Sequence, residues 1–234
     1  MPAPKTILIT GCSQGIGRGL AEHYLHQGWQ VAGCSRGDSD LQHGNYRHFR
    51  LDVANEPAVV SMLNQIKTEF GGLFALINGA GIARMNPALL SPTSSAEEII
   101  RTNFIGTFVC SREAAKLMMR QSSGRIVNLS SVAVPLALAG EALYSASKAA
   151  VEQLTRTLAR ELGGYGITVN AIGANPIKTA MIANVPQEKL ERLVHRQAIP
   201  RFGEIKDVIN LTDFFLSEQS DLVSGQTVYL GGPP

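Results

Sequence analysis

Short apolar runs alternate with amphipathic stretches along almost the whole of this chain. The runs have the length of buried strands, and the stretches between them repeat apolar residues with the period of a helix. Alternating strands and helices build a parallel sheet that helices cover on both faces. The sequence therefore predicts an α/β fold with a doubly wound parallel sheet, in a single domain over residues 1–234.

These patterns place about seven strands and the helices between them. Strands are expected at Thr6–Thr10, Trp29–Cys34, Arg47–Leu51, Leu73–Asn78, Arg125–Ser130, Ile167–Ile172 and Thr227–Leu230. Helices are expected at Gly15–Gln27, Pro57–Phe70, Ser95–Gln121, Glu141–Gly163 and Glu204–Ser217. The polar stretch Gly37–Asn45 is typical of a loop, and Asn175–Pro200 is typical of a partly helical insertion that forms a substrate lid.

Composition argues against several classes of protein. A net charge of +2 gives no basis for nucleic-acid binding, and every apolar stretch is far shorter than a membrane span. The 3 cysteines are widely spaced, which indicates a reducing compartment without disulfides, and no signal peptide is expected at the N-terminus. We expect a soluble cytoplasmic protein that binds no metal, nucleic acid or membrane. The histidines expected on the surface, without a metal-ligand partner, are His23, His26, His43 and His48.

A glycine-rich segment lies directly between the first strand and the first helix. Glycines there let the backbone turn sharply and let a diphosphate approach the N–H groups at the helix N-terminus. The alternative is a tight turn with no ligand, but this position is the context that a Rossmann-type dinucleotide motif requires. The residues expected to contact the cofactor are Gly11, Ser13, Gln14, Gly15, Ile16 and Gly17.

The end of the second strand indicates which nicotinamide cofactor is bound. NAD-selective folds place an acid there, whereas Ser35 holds that position in this chain and Arg36 follows it. A guanidinium can pair with a 2′-phosphate that a carboxylate would repel, so we expect NADP(H) rather than NAD(H). Alternatively, Arg36 is a solvated loop residue and Asp38 or Asp40 folds back to the ribose. Asp52 and Val53 are expected at the adenine edge, unless Asp52 only caps a helix.

A tyrosine and a lysine lie four residues apart in the longest predicted helix. This spacing puts Tyr144 and Lys148 on one face, one turn apart. A phenol, with a free pKa of roughly 10, transfers protons poorly at neutral pH unless a nearby charge stabilises its anion. Ser131 follows a strand-like run, and its hydroxyl can bond the oxygen that the phenol protonates. On this segment alone, an exposed helix pair is the simpler explanation.

Taken together, these motifs resemble those of the short-chain dehydrogenase/reductase family over essentially the whole chain. The matching residues are Thr10–Gly17 for the cofactor loop, Asn78, Gly79, Ala80 and Gly81 for the motif Asn-Asn-Ala-Gly, Asn103 for a helix asparagine, and Ser131, Tyr144 and Lys148 for the catalytic residues. Only Gly79 departs from the motif, where the family has a second asparagine. The resemblance places Asn78, Ala80 and Gly81 at the cofactor.

The resemblance also implies a role for each catalytic residue. Tyr144 would be the general acid when a ketone is reduced, and Ser131 would hold the carbonyl oxygen. Lys148, together with the charge of an oxidised nicotinamide, would lower the tyrosine pKa and would bond the nicotinamide ribose. Asn103 would anchor a water that connects Lys148 to solvent. The alternative for Asn103 is a helix-bending residue that bonds only backbone groups.

Two departures from the family pattern concern the site walls. Ala174 and Asn175 stand where the family usually has Pro-Gly. Asparagine tolerates a left-handed backbone, but Pro176 restricts the residue before it to extended conformations. Ile177 and Thr179 still match residues that contact the carboxamide. The loop between the second and third strands is also short, where many relatives carry a helix.

The resemblance implies an NADP(H)-dependent reductase, most like 3-oxoacyl-carrier-protein reductases. Its substrate would be a small or carrier-bound carbonyl compound, such as a 3-oxoacyl thioester. One alternative is a dehydrogenase that oxidises a cyclic diol or dihydrodiol, and another is a catalytically weak dinucleotide-binding regulator. The family also implies a homo-oligomer, a dimer or tetramer, built through the two long helices.

Overall fold

All seven strands lie parallel in one sheet, in the order β3-β2-β1-β4-β5-β6-β7. The structure is a computed structural model that describes residues 4–183 and 185–232, apart from the side chain of Met181. The strands are β1 Thr6–Thr10, β2 Gln30–Ser35, β3 Tyr46–Arg50, β4 Ala75–Asn78, β5 Gly124–Ser131, β6 Ile167–Ala174 and β7 Thr227–Tyr229. The predicted doubly wound fold is confirmed. Successive strands are added on one side of β1 as far as β3 and on the other side from β4 onward, so the strand order reverses between β1 and β4.

Helices cover both faces of the sheet. They are α1 Gly15–His26, α2 Glu56–Phe70, α3 Thr93–Ile100, α4 Gly106–Met119, α5 Ala133–Leu136, α6 Ala142–Leu162, α7 Gln187–His195 and α8 Ile205–Leu216. α1 and α8 pack on one face, and α2, α4 and α6 pack on the other. Every residue of β1 is buried, as expected for a central strand that is covered on both sides.

Each face of the sheet has its own apolar core. Met62 of α2 and Val109 of α4 pack in one core, and Leu20 of α1 and Phe215 of α8 pack in the other. These four side chains are at most 3% exposed. Complete burial of a side chain of this size stabilises a fold by about 1.5 to 3 kcal/mol, so the two cores hold the strand ends in place.

The prediction of one continuous helix at Ser95–Gln121 is wrong. The segment Arg101–Ile105 forms a π-helical turn between α3 and α4, in which the Gly106 amide donates to the Arg101 carbonyl. A π turn adds one residue and leaves the amphipathic pattern on either side intact, so periodicity does not reveal it. A Cβ on Gly106 would lie 2.5 Å from Cγ2 of Val53, so the chain passes very close to its neighbour here.

The remaining predictions differ from the structure mainly at element ends. Gly37–Asn45 is a loop, as predicted, and the short helix α5 was not predicted. The insertion contains a 3₁₀ turn at Ala180–Ile182 and the helix α7, while Asn184 within the predicted lid lies outside the described residues. Across residues 4–183 and 185–232, no helix is long and apolar enough to cross a membrane.

Candidate active site

The carboxyl ends of the central strands meet at one edge of the sheet, beside the point where the strand order reverses. Thr10 ends β1, and its Oγ1 accepts hydrogen bonds from the amides of Gly79 at 3.0 Å and Ala80 at 3.1 Å. This hydroxyl ties the loop after β4 to the glycine-rich loop after β1. Ligands of doubly wound sheets bind at such a reversal, so this edge is the candidate site.

The glycine-rich loop is folded so closely that side chains are excluded. Gly11 has a φ of +72°, and a Cβ there would lie 2.8 Å from Cα of Ala80. A Cβ on Gly17 would lie 2.3 Å from the Gly11 carbonyl oxygen. Gly15 has a φ of +59° and begins α1. The three glycines therefore serve the turn that the sequence predicts.

The N-terminus of α1 is open to an anion. Gln14 precedes the helix but makes no side-chain cap, and no acidic residue lies in the first turn. By contrast, Asn55 caps α2. Uncapped N–H groups and the helix dipole favour a negative group, so the residues from Ser13 to Gly17, including Ile16, fit the diphosphate of a dinucleotide.

The end of β2 leaves Arg36 exposed to solvent. Ser35 donates its hydroxyl hydrogen to the Gly37 carbonyl oxygen at 2.8 Å. Among the described residues, the guanidinium of Arg36 has no ion-pair partner. A free guanidinium at this position fits a 2′-phosphate.

The two acids of the same loop each face an arginine. Asp40 accepts a hydrogen bond from Arg18 of α1, and this contact lowers the pKa of Asp40. Asp38 lies 3.6 Å from a guanidinium nitrogen of Arg50. Because both carboxylates are engaged, the structure gives no support to the alternative in which one of them binds the ribose.

Asp52, two residues after β3, does not cap the helix that follows. Oδ1 of Asp52 accepts a hydrogen bond from the Ala54 amide at 2.9 Å, and Asn55 is the residue that caps α2. The capping alternative for Asp52 is therefore wrong. Val53 is buried beneath the π-helical turn, against Gly106.

Tyr144 and Lys148 are buried on α6, so an exposed helix pair is excluded. Tyr144 is 9% exposed and Lys148 is 6% exposed. Nζ of Lys148 donates to the Leu129 carbonyl at 2.7 Å and lies 5.9 Å from the centroid of the Tyr144 ring. Ser131, at the end of β5, lies close enough to the tyrosine hydroxyl to lower its pKa. The three predicted catalytic side chains thus converge at the sheet edge.

Burial controls the protonation of this pair in the protein alone. It raises the pKa of Tyr144 to about 12, against the opposing effect of the nearby Ser131 hydroxyl. It also lowers the pKa of Lys148 to about 8. The carboxylate of Glu141 raises the pKa of Tyr144 further. A lowered tyrosine pKa is therefore not a property of the protein by itself, and the expected lowering with a bound nicotinamide stays a prediction.

Asn103 is fully buried in the π-helical turn. Its Oδ1 accepts from the Ile82 amide at 2.8 Å, and its Nδ2 donates to the Ile82 carbonyl at 2.9 Å and to Oγ of Ser147 at 3.0 Å. The alternative in which it bonds only backbone is wrong, because it also bonds α6. A Cβ on Gly81 would lie 3.4 Å from Asn103 Oδ1 and 3.5 Å from Lys148 Nζ. Asn103 therefore holds the loop after β4 beside the lysine.

The side chain of Asn78 lies in the sheet interior. Its Nδ2 donates to Oγ of Ser111 at 2.9 Å and to Oδ1 of Asn128 at 2.8 Å. This amide links β4 to α4 and β5, so it stabilises the strand ends that carry the site. The glycine that departs from the family motif has a steric reason, because a Cβ on Gly79 would lie 2.7 Å from the Thr10 carbonyl oxygen.

Comparisons with known proteins agree with this geometry. A family model described as short chain dehydrogenase matches residues 5–190. The chain belongs to this family. It is 34% identical to the 3-oxoacyl-(acyl-carrier-protein) reductase FabG of Staphylococcus aureus, over 99% of this chain and 98% of the relative. The FabG of Vibrio cholerae is 31% identical over 97% of this chain and 96% of its own.

Solved structures of similar proteins share the fold. The ligand-free aldohexose dehydrogenase of Thermoplasma acidophilum has a TM-score of 0.90 and 27% identity, over 98% of this chain and 93% of that chain. ElxO with NADP bound has a TM-score of 0.89 and 28% identity, over 97% of both chains. This short chain dehydrogenase is accordingly an NAD(P)-dependent oxidoreductase.

The wall after β6 of this dehydrogenase differs from the family pattern as expected. Asn175 has no positive φ, so it does not imitate the family glycine, and the restriction by Pro176 prevails. Its buried Nδ2 donates to the Arg201 carbonyl at 3.4 Å instead. Ile177 pairs with Gly203, which fixes the segment that follows.

Thr179 connects this wall to the cofactor loop. A Cβ on Gly15 would lie 3.4 Å from Cγ2 of Thr179, so the two residues face each other at the N-terminus of α1. This proximity is consistent with the predicted contact of Thr179 with a cofactor that lies along the loop. Thr179 therefore lies beside the glycine-rich loop although the residues at 174–175 differ, and its contact with a cofactor stays a prediction.

Three functional features escaped prediction from the sequence. The hydrogen bonds by which Thr10 holds the loop after β4 were not predicted, although the position of Thr10 at the end of β1 was. The effect of Glu141, which raises the pKa of Tyr144, was also not predicted. Its position three residues before Tyr144, at the start of the helix, is the sequence signal that could have identified it. His48 was expected on the surface but lies partly buried among polar groups near the end of β2.

Proposed function

We propose that this protein reduces a ketone to a secondary alcohol, with NADPH as the reductant. The observation that carries the proposal is the convergence of partly exposed Ser131 with buried Tyr144 and Lys148 beside the open N-terminus of α1. A binding module has no need for a buried phenol next to a buried ammonium group. When bound, the nicotinamide supplies the hydride.

Each residue of the site would handle the substrate oxygen or its proton. Ser131 donates a hydrogen bond to the carbonyl oxygen, where negative charge develops. Tyr144 transfers its hydroxyl proton to the same oxygen. The ammonium of Lys148 lies close enough to stabilise the phenolate that remains. Asn103 keeps the loop beside Lys148 in place, and the water that it would anchor stays a prediction.

NADP(H) is the proposed cofactor. Arg36 is exposed without an ion-pair partner in the described ranges, whereas Asp38 and Asp40 face arginines. ElxO, which is similar over nearly the whole chain, has been solved with NADP bound, and a variant of it with one tyrosine replaced by phenylalanine has been solved with NADPH bound. The guanidinium of Arg36 would bind the 2′-phosphate that distinguishes this cofactor from NAD(H).

The proposed substrate is a 3-oxoacyl thioester or a related carbonyl compound, free or attached to a carrier. The FabG relatives, which carry that activity in their names, match nearly the whole chain. The predicted lid over residues 175–200 exposes Lys189 and Arg196, and Lys189 Nζ lies 3.9 Å from Sδ of Met85 across the mouth. Such cations attract an anionic substrate or carrier.

Oxidation of a diol is a second candidate that one observation favours. Glu141 lies close enough to raise the pKa of Tyr144, and among the described residues its carboxylate has no hydrogen-bond donor or ion-pair partner from a side chain. A carboxylate near the reacting oxygen can accept a hydrogen bond from a second substrate hydroxyl. A similar solved structure is an aldohexose dehydrogenase.

Turnover with two substrate panels decides between these functions. NADPH and NADH binding is measured first, and then the oxidation of NADPH with 3-oxoacyl thioesters and the reduction of NADP⁺ and NAD⁺ with cyclic diols. We expect turnover of the thioesters with NADPH. Faster turnover of diols would favour the second candidate, and cofactor binding without turnover in either panel would indicate a regulator.

Two properties stay predictions. Assembly as a dimer or tetramer through the long helices is supported by Ile100 and Ile105, which are 36% and 38% exposed beside the π-helical turn. A cytoplasmic location is still expected from the use of cysteine.

A further inference from the structure

A chain of polar side chains connects the glycine-rich loop to the turn that carries Arg36. Sγ of Cys12 lies 3.3 Å from the hydroxyl oxygen of Tyr46. That oxygen lies 3.0 Å from Nδ1 of His48, two residues further along β3. Nε2 of His48 lies 3.0 Å from the carbonyl oxygen of Gly37, directly after Arg36. We call this arrangement the Cys12–Tyr46–His48 relay.

The carbonyl of Gly37 decides which nitrogen of His48 carries the hydrogen. A carbonyl oxygen can only accept, so Nε2 donates to it. Nδ1 of the neutral ring is then an acceptor, and Tyr46 donates its hydroxyl hydrogen to it. Ser35 also donates to the Gly37 carbonyl, and its Oγ lies 3.2 Å from Nε2. The ring of His48 is therefore held from both sides.

The backbone around Arg36 is held on each side, while its side chain extends into solvent. The carbonyl of Ser35 accepts from the Leu51 amide at 2.9 Å. The carbonyl of Arg36 itself accepts from Nε of Arg50 at 3.2 Å. The next carbonyl along the chain is the one that His48 binds. Three successive carbonyls are thus held by β3 and the residue that follows it, while the side chain of Arg36 is exposed to solvent.

We propose that His48 is a positioning residue that sets the preference for NADPH over NADH, because its hydrogen bond to the Gly37 carbonyl holds the turn that presents Arg36 to the 2′-phosphate. This inference rests on the proposed NADP(H) function. No helix follows β2 to brace the turn, since Gly37–Asn45 is a loop. Without the hydrogen bond, Arg36 samples more directions and loses its paired contact with the phosphate. NADH lacks that phosphate and is affected much less.

Tyr46 is the middle member of the relay. Its hydroxyl contacts both Cys12 in the glycine-rich loop and His48, and burial raises its pKa well above the ordinary value. The hydroxyl therefore stays protonated and keeps donating to Nδ1. Tyr46 thus contacts both the glycine-rich loop and the histidine that holds the turn after β2.

Binding of NADPH and NADH to matched variants tests the inference. Dissociation constants are measured by nucleotide fluorescence for the wild type, His48→Ala, His48→Gln and a control, His26→Ala, whose ring is exposed on α1. We expect His48→Ala to weaken NADPH binding by about tenfold and NADH binding by less than about twofold. His48→Gln keeps an amide donor for the carbonyl and should stay within about threefold of the wild-type preference. His26→Ala should match the wild type.

A double-mutant cycle shows whether His48 acts through Arg36. In an Arg36→Ala background, adding His48→Ala should leave the ratio of the NADPH and NADH constants unchanged. A role only in folding would lower the melting temperature and weaken both nucleotides equally, which would overturn the inference. Should His48→Ala not fold, Tyr46→Phe provides the same test, because it removes the donor to Nδ1.

The outcome for the wild type separates this inference from the proposed function. A wild type that binds NADH more tightly than NADPH would overturn both. A wild type that prefers NADPH and loses this preference in Arg36→Ala, but keeps it in His48→Ala and Tyr46→Phe, would overturn the role of His48 alone. A preference for NADPH that Arg36→Ala does not change would also overturn it.

Discussion

Replacing Lys148 by Met removes a buried ammonium group, and the protein without cofactor should respond with a pH-dependent change in stability. Lys148 is 6% exposed, and its described polar partner is the Leu129 carbonyl at 2.7 Å. Burial lowers its pKa from 10.5 to about 8. A pKa difference of this size between the unfolded and folded states corresponds to about 3 kcal/mol of unfolding free energy.

The direction of the effect follows from the protons bound in each state. Between pH 8 and 10.5 the unfolded chain holds a proton that the folded protein has lost, so stability rises with pH in this window. Below pH 8 both states are protonated, and the whole cost of burying the charge is present. The unfolding free energy of the wild type, relative to Lys148→Met, should therefore rise by about 2 to 3 kcal/mol between pH 7 and pH 10.

Urea unfolding across this pH range measures the difference. Other titrating groups cancel when the two proteins are compared at each pH, and Lys67→Met, which alters an exposed lysine of α2, should follow the wild type. A difference between wild type and Lys148→Met that does not change with pH would refute the reasoning. NADPH oxidation by Lys148→Met should fall by at least about 100-fold.

Two further predictions concern residues beside the site. Glu141→Gln removes a carboxylate that raises the pKa of Tyr144, so the alkaline loss of reductase activity should begin at a lower pH in a profile of kcat/KM; an unshifted profile would contradict this. Gly79→Asn restores the family residue but places a Cβ against the Thr10 carbonyl, so urea unfolding should show a loss of about 1 to 3 kcal/mol. Gly44→Asn, where no atom lies within 4 Å of a Cβ, is the control, and equal losses in both variants would argue against a steric cause.

The fold and the convergence of the candidate catalytic residues were predictable because local patterns encode them. Apolar runs locate the strands, and the glycines between β1 and α1 locate the phosphate loop. The spacing of Tyr144 and Lys148 becomes informative once Ser131 and the glycine-rich loop stand at the family's positions. Their convergence then follows from the sheet, whose carboxyl edge collects residues that are distant in the chain.

The remaining features depend on tertiary contacts that no local pattern reports. The π-helical turn at Arg101–Ile105 adds a residue without disturbing helical periodicity on either side. His48 looks like an isolated surface histidine, because Cys12 and Gly37 reach it only after the sheet has formed. The effect of Glu141 on Tyr144 depends on burial, which a sequence pattern does not measure.

Reductase activity of Tyr144→Phe tests the central claim most directly. The substitution removes only the hydroxyl, so NADPH binding should stay close to that of the wild type, and Tyr165→Phe, at a site that is 46% exposed, is the matched control. We predict that kcat for NADPH oxidation with a 3-oxoacyl thioester falls by about 100-fold to 10,000-fold. Full turnover by Tyr144→Phe, with NADPH binding intact, would show that this phenol does not supply the proton.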